Sequence, residues 1–129
     1  MGESFTFKAK ERLKQVRLID AIFKKEGPTI HSGPLLFVYL TAPLDSDSPA
    51  QVLFSVSKRK YKRAVDRNLL KRRMKEAYRL NKAKLYAHLE SKNEQYAIAL
   101  LYLHGQILDY ATIEAALKSS IDEFIERTS

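Results

Sequence analysis

The stretch Ser57-Lys58-Arg59-Lys60-Tyr61-Lys62-Arg63-Ala64-Val65-Asp66-Arg67-Asn68-Leu69-Leu70-Lys71-Arg72-Arg73-Met74-Lys75-Glu76-Ala77-Tyr78-Arg79 decides how this chain is read. Between Lys58 and Lys84 stand thirteen Lys or Arg and two acids, a net of +11, whereas all 129 residues together carry +8. The rest of the chain is therefore net acidic, and the positive charge is local. From about Lys62 to about Leu89 there is no Gly or Pro, and Lys, Arg, Leu, Ala, Met and Glu dominate. These are good helix formers, so the stretch predicts one long helix.

The helix has two sides. At about 3.6 residues per turn, Ala64, Arg67, Asn68, Lys71, Arg72, Lys75 and Arg79 share one face. Val65, Leu69, Leu70, Met74, Ala77 and Leu80 point broadly the other way, with Asp66 and Arg73 among them. The second face is expected on a core and the first in solvent. A merely solvated face usually mixes signs in i,i+4 pairs. A row of like charges repels itself unless a polyanion neutralises it, and nucleic acid is the polyanion that fits.

Composition narrows the choice. Hydrophobic residues make up 45%, enough for a core and too many for a disordered basic tail. The length predicts a single domain over residues 1–129. The absence of cysteine excludes a disulfide framework, a cysteine-based zinc site and a thiol nucleophile. No apolar run could span a bilayer. Met1-Gly2-Glu3-Ser4 lacks the basic-then-apolar pattern of a signal peptide, and a cytoplasmic location is expected. The pI of about 9.7 suits nucleic acid or an anionic membrane surface. The basic helix has no wide apolar face with Trp or Phe anchors, which disfavours the membrane.

Taken in order, residues 1–12 read as an extended basic lead-in with Phe5, Phe7, Lys8, Lys10 and Arg12. Val16, Ile19, Ile22 and Phe23 recur at helical spacing, predicting a short helix from about Gln15 to Glu26, ended by Gly27-Pro28. Residues 28–34 read as a loop. Leu35 to Thr41 alternates as a strand, with Leu36, Val38 and Leu40 expected in the core. Phe37 and Tyr39 then lie on the other face. A turn over residues 43–49 leads to a second strand, Gln51 to Ser57, whose Val52, Phe54 and Val56 face the core. The two strands are expected to form a hairpin. Gln95 to Leu103 is almost continuously apolar, as a central strand is. Asp109 is the expected N-cap of a last helix, apolar on one face and acidic on the other at Glu114, Asp122, Glu123 and Glu126. The whole reads as an α/β sandwich. The long and last helices cover one sheet face. The first helix lies at the other face or its edge and leaves a groove.

Ser55-Val56-Ser57-Lys58 followed by Ala64-Val65-Asp66-Arg67-Asn68-Leu69-Leu70-Lys71-Arg72 resembles the signature of the bacterial ribonuclease P protein subunit. In that family a strand ending Ser-Val-Ser-Lys leads into a helix reading Ala-Val-x-Arg-Asn-Arg-x-Lys-Arg. Glu11-Arg12-Leu13 with Ile19-Asp20-Ala21-Ile22-Phe23 is similar to its lead-in and first helix, Leu36-Phe37-Val38-Tyr39 to its first strand, and Leu108-Asp109-Tyr110 to the start of its last helix. The likeness covers most of the chain in the right order. Three departures stand out. Leu69 replaces the second motif arginine, Ile19 stands where Phe is frequent, and Tyr102 and His104 stand where an arginine is frequent.

The resemblance implies an α+β fold, a two-layer sandwich of about four strands and three helices, ribosomal-protein-S5-domain-2-like, with a left-handed βαβ crossover. It implies that Arg63, Arg67, Asn68, Lys71, Arg72, Lys75 and Arg79 bind the large catalytic RNA. It further implies that the groove holds the 5′ leader of precursor tRNA. The groove candidates are Phe23, Phe37, Tyr39, Ser55, Ser57, Lys58, Arg59 and Lys60, with Tyr39 favoured over Phe37 for its polar tip.

No protein active site is evident. His31, His88 and His104 are scattered, and Asp45 with Asp47 lacks the further ligands and Gly turn of a cation loop. The family resemblance implies that the RNA subunit carries the magnesium and performs the hydrolysis. The competing reading is a ribosomal or assembly protein that binds structured RNA and takes no part in tRNA processing. A stand-alone protein nuclease would need an acid cluster that the sequence lacks. Neither a membrane nor a small-molecule substrate is expected as a partner.

Overall fold

A computed structural model describes residues 7–24 and 27–129. Phe5 of the lead-in and the Glu26 end of the first predicted helix lie outside the described residues. The elements are α1 (Val16–Phe23), β1 (Thr29–Ser32), β2 (Leu35–Thr41), β3 (Ala50–Val56), α2 (Ala64–Lys92), β4 (Tyr96–Tyr102) and α3 (Tyr110–Thr128). The strands form a mixed sheet in the order β1-β2-β4-β3, with β3 and β4 parallel and the other pairs antiparallel.

The expected hairpin does not form, because β4 inserts between β2 and β3. The sequence of β4 suits that slot. Ala97, Ile98, Ala99 and Leu100 are fully buried, so the strand needs cover on both faces. Gln95, at its entrance, holds the β2–β3 connection in place. Its amide Nε2 donates to the carbonyls of Ser46 and Ser48, and its Oε1 accepts from the Leu44 amide.

The loop expected over residues 28–34 contains β1, whose four residues pair with β2 through a turn at Gly33-Pro34. Gly33 has φ of 51°, a left-handed conformation that glycine adopts without steric cost. Gly27 is required by contact instead, since a Cβ there would sit 2.3 Å from the Tyr39 carbonyl oxygen.

The two sheet faces carry separate cores. Beneath α2 and α3 lie Leu35, Phe37, Tyr39, Val52, Val56, Ile98 and Leu100, packed on Leu70, Met74, Tyr78, Leu117 and Phe124. Beneath α1 lie Val38, Ala97 and Ala99, packed on Leu18 and Ile22, with Leu36, Leu40, Leu53 and Leu101 partly buried beside them. The parity expected for β2 is thus reversed. Leu36, Val38 and Leu40 face α1, whereas Phe37 and Tyr39 face the main core. The physical reason is Phe124 of α3, whose ring lies 5.6 Å from Phe37 and 4.9 Å from Tyr39. These edge and tilted contacts bury large aromatic area that aliphatic residues could not match.

The lead-in is not simply extended. A 3₁₀ turn at Ala9–Glu11 brings Arg12 into a bridge with Val52, and Leu13 N–H donates to the Val52 carbonyl at 3.1 Å. The segment therefore runs along the outer edge of β3.

Candidate nucleic-acid interface

Helix α2 is held at both of its ends. Ser57 Oγ accepts from the Arg59 and Lys60 amides, the Tyr61 amide donates to the Ser57 carbonyl, and Tyr61 OH donates to the His104 carbonyl at 2.7 Å. The buried Tyr61 ring lies edge-on to Tyr102, 6.0 Å away. The other end is closed by Asn93, in the left-handed conformation that stops helices. Between them α2 buries Leu70, Met74, Ala77, Tyr78, Lys82, Leu85 and Leu89. Val65 and Leu80, expected inward, are 59% and 41% exposed. The buried stripe is rotated relative to the predicted one because it must meet both the sheet and α3.

Asn68 and Arg72 are exposed, and Lys71, Lys75 and Arg79 are half-buried. Among the described residues, only Arg79 of the six predicted RNA-binding cations pairs with a carboxylate, Glu76 at 2.8 Å. That contact raises the Arg79 pKa and lowers that of Glu76. Arg67 is committed differently. Its Nη1 donates to the carbonyls of Tyr61 at 2.7 Å and Lys62 at 2.9 Å, so it fastens the strand-to-helix junction. Arg73 donates to the Leu108 carbonyl at 2.6 Å and fastens the β4–α3 connection.

Arg63, Lys58, Arg59 and Lys60 are exposed at the junction, with Lys60 Nζ donating to the Leu103 carbonyl at 2.7 Å. Ser57 is exposed, yet its hydroxyl is engaged as the acceptor of the turn.

The sheet face beside α1 differs from expectation in the residues it carries. Phe37 and Tyr39 are in the main core and cannot stack on a base there, because the sheet itself intervenes. Phe23 is on the α1 side, 47% exposed. Ser55 lies opposite Leu101 in register, next along from Leu53, on the α1 face. Leu36 faces the same way, as does His31, its register partner on β1. Leu36, Leu101 and His31 share that sheet face and were not among the expected residues. Reversing the parity of β2 would have revealed Leu36 and, through it, the other two. The acidic side of α3 meets α2. Asp122 pairs with Lys84 of α2 at 2.7 Å, and Glu114 accepts from Asn81 at 3.0 Å.

The described residues offer no set of three His, Cys, Asp or Glu that could hold a metal. Asp45 accepts from Gln51 at 2.7 Å and Asp47 pairs with Lys10 at 3.1 Å, so the two loop acids are occupied by the protein itself. No helix among the described residues is long and apolar enough to cross a membrane.

Comparison with known proteins agrees with this geometry. The ribonuclease P protein component of Porphyromonas gingivalis is 33% identical over 118 residues, 92% of this chain and 85% of that protein. The component of Chlorobium phaeobacteroides is 38% identical over 104 residues, 74% and 70% of the two chains. The fold matches the RNase P protein of Staphylococcus aureus with a TM-score of 0.68 at 19% identity, covering 91% of this chain and 96% of the other. It matches that of Thermotoga maritima with a TM-score of 0.65 at 21% identity, covering 88% and 96%. The family model described as Ribonuclease P matches residues 7–124, and the chain belongs to the ribonuclease P family as a protein component.

Proposed function

We propose that α2 grips the catalytic RNA by its outer row while the groove between α1 and the sheet guides the 5′ leader of precursor tRNA as a single strand. Membership of the family makes the chain an RNA-binding subunit of a tRNA-processing ribonucleoprotein. The observation that carries the finer reading is the state of the cations on α2. Arg72, Lys71 and Lys75 have no carboxylate partner among the described residues. Such groups are available to neutralise phosphates and release counterions.

In this reading hydrolysis belongs to the RNA subunit and its magnesium, and the protein contributes binding and orientation. The site of action is the cytoplasm. The ribosomal or assembly alternative explains the charge but not the family match. The test is reconstitution: the protein is added to a bacterial ribonuclease P RNA at low magnesium, and cleavage of precursor tRNA is followed. Rescue of cleavage by the intact complex, and none by protein freed of RNA, is expected. Failure to rescue would remove the reading.

A further inference from the structure

A second concave surface lies at the outer edge of β3, where the lead-in meets the cation row of α2. The lead-in segment crosses that edge at Val52 and leaves a cleft of about 240 Å³. Phe7 and Phe54 contribute its aromatic floor, with Leu13, Val52 and Leu53 around them. Its rim carries Arg12 and Lys14 on the lead-in side and Lys71 and Lys75, one turn apart, on α2.

The floor is ordered. The Phe7 ring meets Phe54 at 5.6 Å and Tyr78 at 5.9 Å, both edge-on, and the Arg12 guanidinium lies 5.8 Å from the Phe7 ring centre. The lead-in is itself pinned by the buried Lys82–Glu11 pair. None of the four rim cations forms an ion pair with a carboxylate among the described residues.

We infer that this cleft is a subsite for one unpaired nucleotide of RNA, its base over the Phe7–Phe54 floor and its flanking phosphates on Arg12, Lys14, Lys71 and Lys75. A bare inorganic anion would leave the apolar floor unused, and an apolar ligand would leave four like charges unneutralised. A nucleotide uses both. Aromatic floors with cationic rims hold single strands without reading their sequence. This subsite rests on the RNA-binding reading above and extends it from the cation row of α2 onto the edge of β3.

The test uses the reconstituted complex of full-length protein, catalytic RNA and precursor tRNA. Thiouridine is placed in the leader in one arm and in the catalytic RNA in the other. After irradiation, adducts are mapped by peptide mass spectrometry. Adducts on Phe7 or Phe54 are expected in one arm, and that arm identifies the source of the nucleotide. Phe54→Leu, with its melting checked against the parent, should lower their yield about fivefold or more. Adducts along Asn68 and Arg72 should persist in that variant. Adducts on α2 with none at Phe7 or Phe54, or an unchanged yield in Phe54→Leu, would overturn the subsite alone. A protein free of adducts everywhere would overturn the RNA-binding reading and the subsite with it.

Discussion

Lys82 Nζ and Glu11 Oε1 lie 2.5 Å apart across 71 residues of sequence, with their side chains 5% and 4% exposed. The pair is not isolated. Tyr86 OH donates to the same carboxylate oxygen at 2.8 Å, Tyr78 OH donates to Tyr86 at 3.0 Å, and the Lys8 amide donates to the other oxygen at 2.5 Å. A carboxylate so surrounded is satisfied despite burial. It joins the lead-in to the middle of α2, and so connects the edge cleft to the basic helix.

Removing Lys82 leaves the buried Glu11 carboxylate without its counter-charge. Lys82→Met should therefore cost about 3–5 kcal/mol, whereas Lys82→Met with Glu11→Leu should recover most of the loss. Urea unfolding of the three proteins measures both. A single variant as stable as the parent would show that the pair is dispensable.

The same carboxylate links stability to pH. Burial tends to raise its pKa, but hydrogen bonds from Lys82, the Lys8 amide and Tyr86 outweigh it and bring the value below the usual 4.5. In acid the unfolded chain then binds this proton more readily than the folded one. The contribution is complete above about pH 4.5 and is lost as the pH falls through the lower folded value. Unfolding free energies measured from neutral into acid should fall less steeply for Glu11→Gln than for the parent. Identical slopes would assign the acid loss to other groups.

Phe37 tests the corrected face of β2. It is fully buried against Phe124, so Phe37→Ala should destabilise by about 3–5 kcal/mol. The loss of RNA binding should then track the unfolded fraction and be equal for leader-bearing and mature tRNA. A folded variant that selectively loses leader binding would restore Phe37 to the groove.

The parity of β2 was not legible in the sequence because both of its faces are apolar. Leu35, Phe37 and Tyr39 alternate with Leu36, Val38 and Leu40, and helices cover both sides. Only the positions of Phe124 and Ile22, fixed by tertiary packing, decide which set meets which helix. The insertion of β4 is non-local for the same reason, and the four residues of β1 are too few to show alternation. Lys82 was hidden in a basic run, since nothing local says that Glu11 will meet it. What composition and capping control was legible: the extent of α2, the central character of β4, and Asp109, whose Oδ1 accepts from the Thr112 amide at 2.9 Å.

Salt dependence separates two kinds of arginine on α2. Arg72 is exposed with no ion-pair partner among the described residues, and Arg67 is tied to the Tyr61 and Lys62 carbonyls. Arg72→Ala should reduce the slope of log K against log salt by about 0.7–0.9, with melting unchanged. Arg67→Ala should lower the melting temperature as well, because it frees two carbonyls at the junction. Filter binding across a salt series, with melting curves for each variant, distinguishes them. A slope unchanged in Arg72→Ala would place the phosphates on another face.

Leu69 offers the converse experiment, a gain rather than a loss. The family signature carries arginine there, and in this chain the leucine is half-buried beside Arg72, Arg73, Glu76 and Tyr110. The hollow at that point has a volume of about 440 Å³ and opens to solvent, so a longer side chain can extend outward without entering the core. Glu76 is already engaged by Arg79, which leaves a new guanidinium free for phosphate. Leu69→Arg should therefore fold normally, bind the catalytic RNA more tightly, and steepen the salt slope by about 0.7–0.9. If the slope stays the same while the variant remains folded, the RNA does not reach this turn of α2, and the replacement of the motif arginine reflects a displaced contact rather than a missing one.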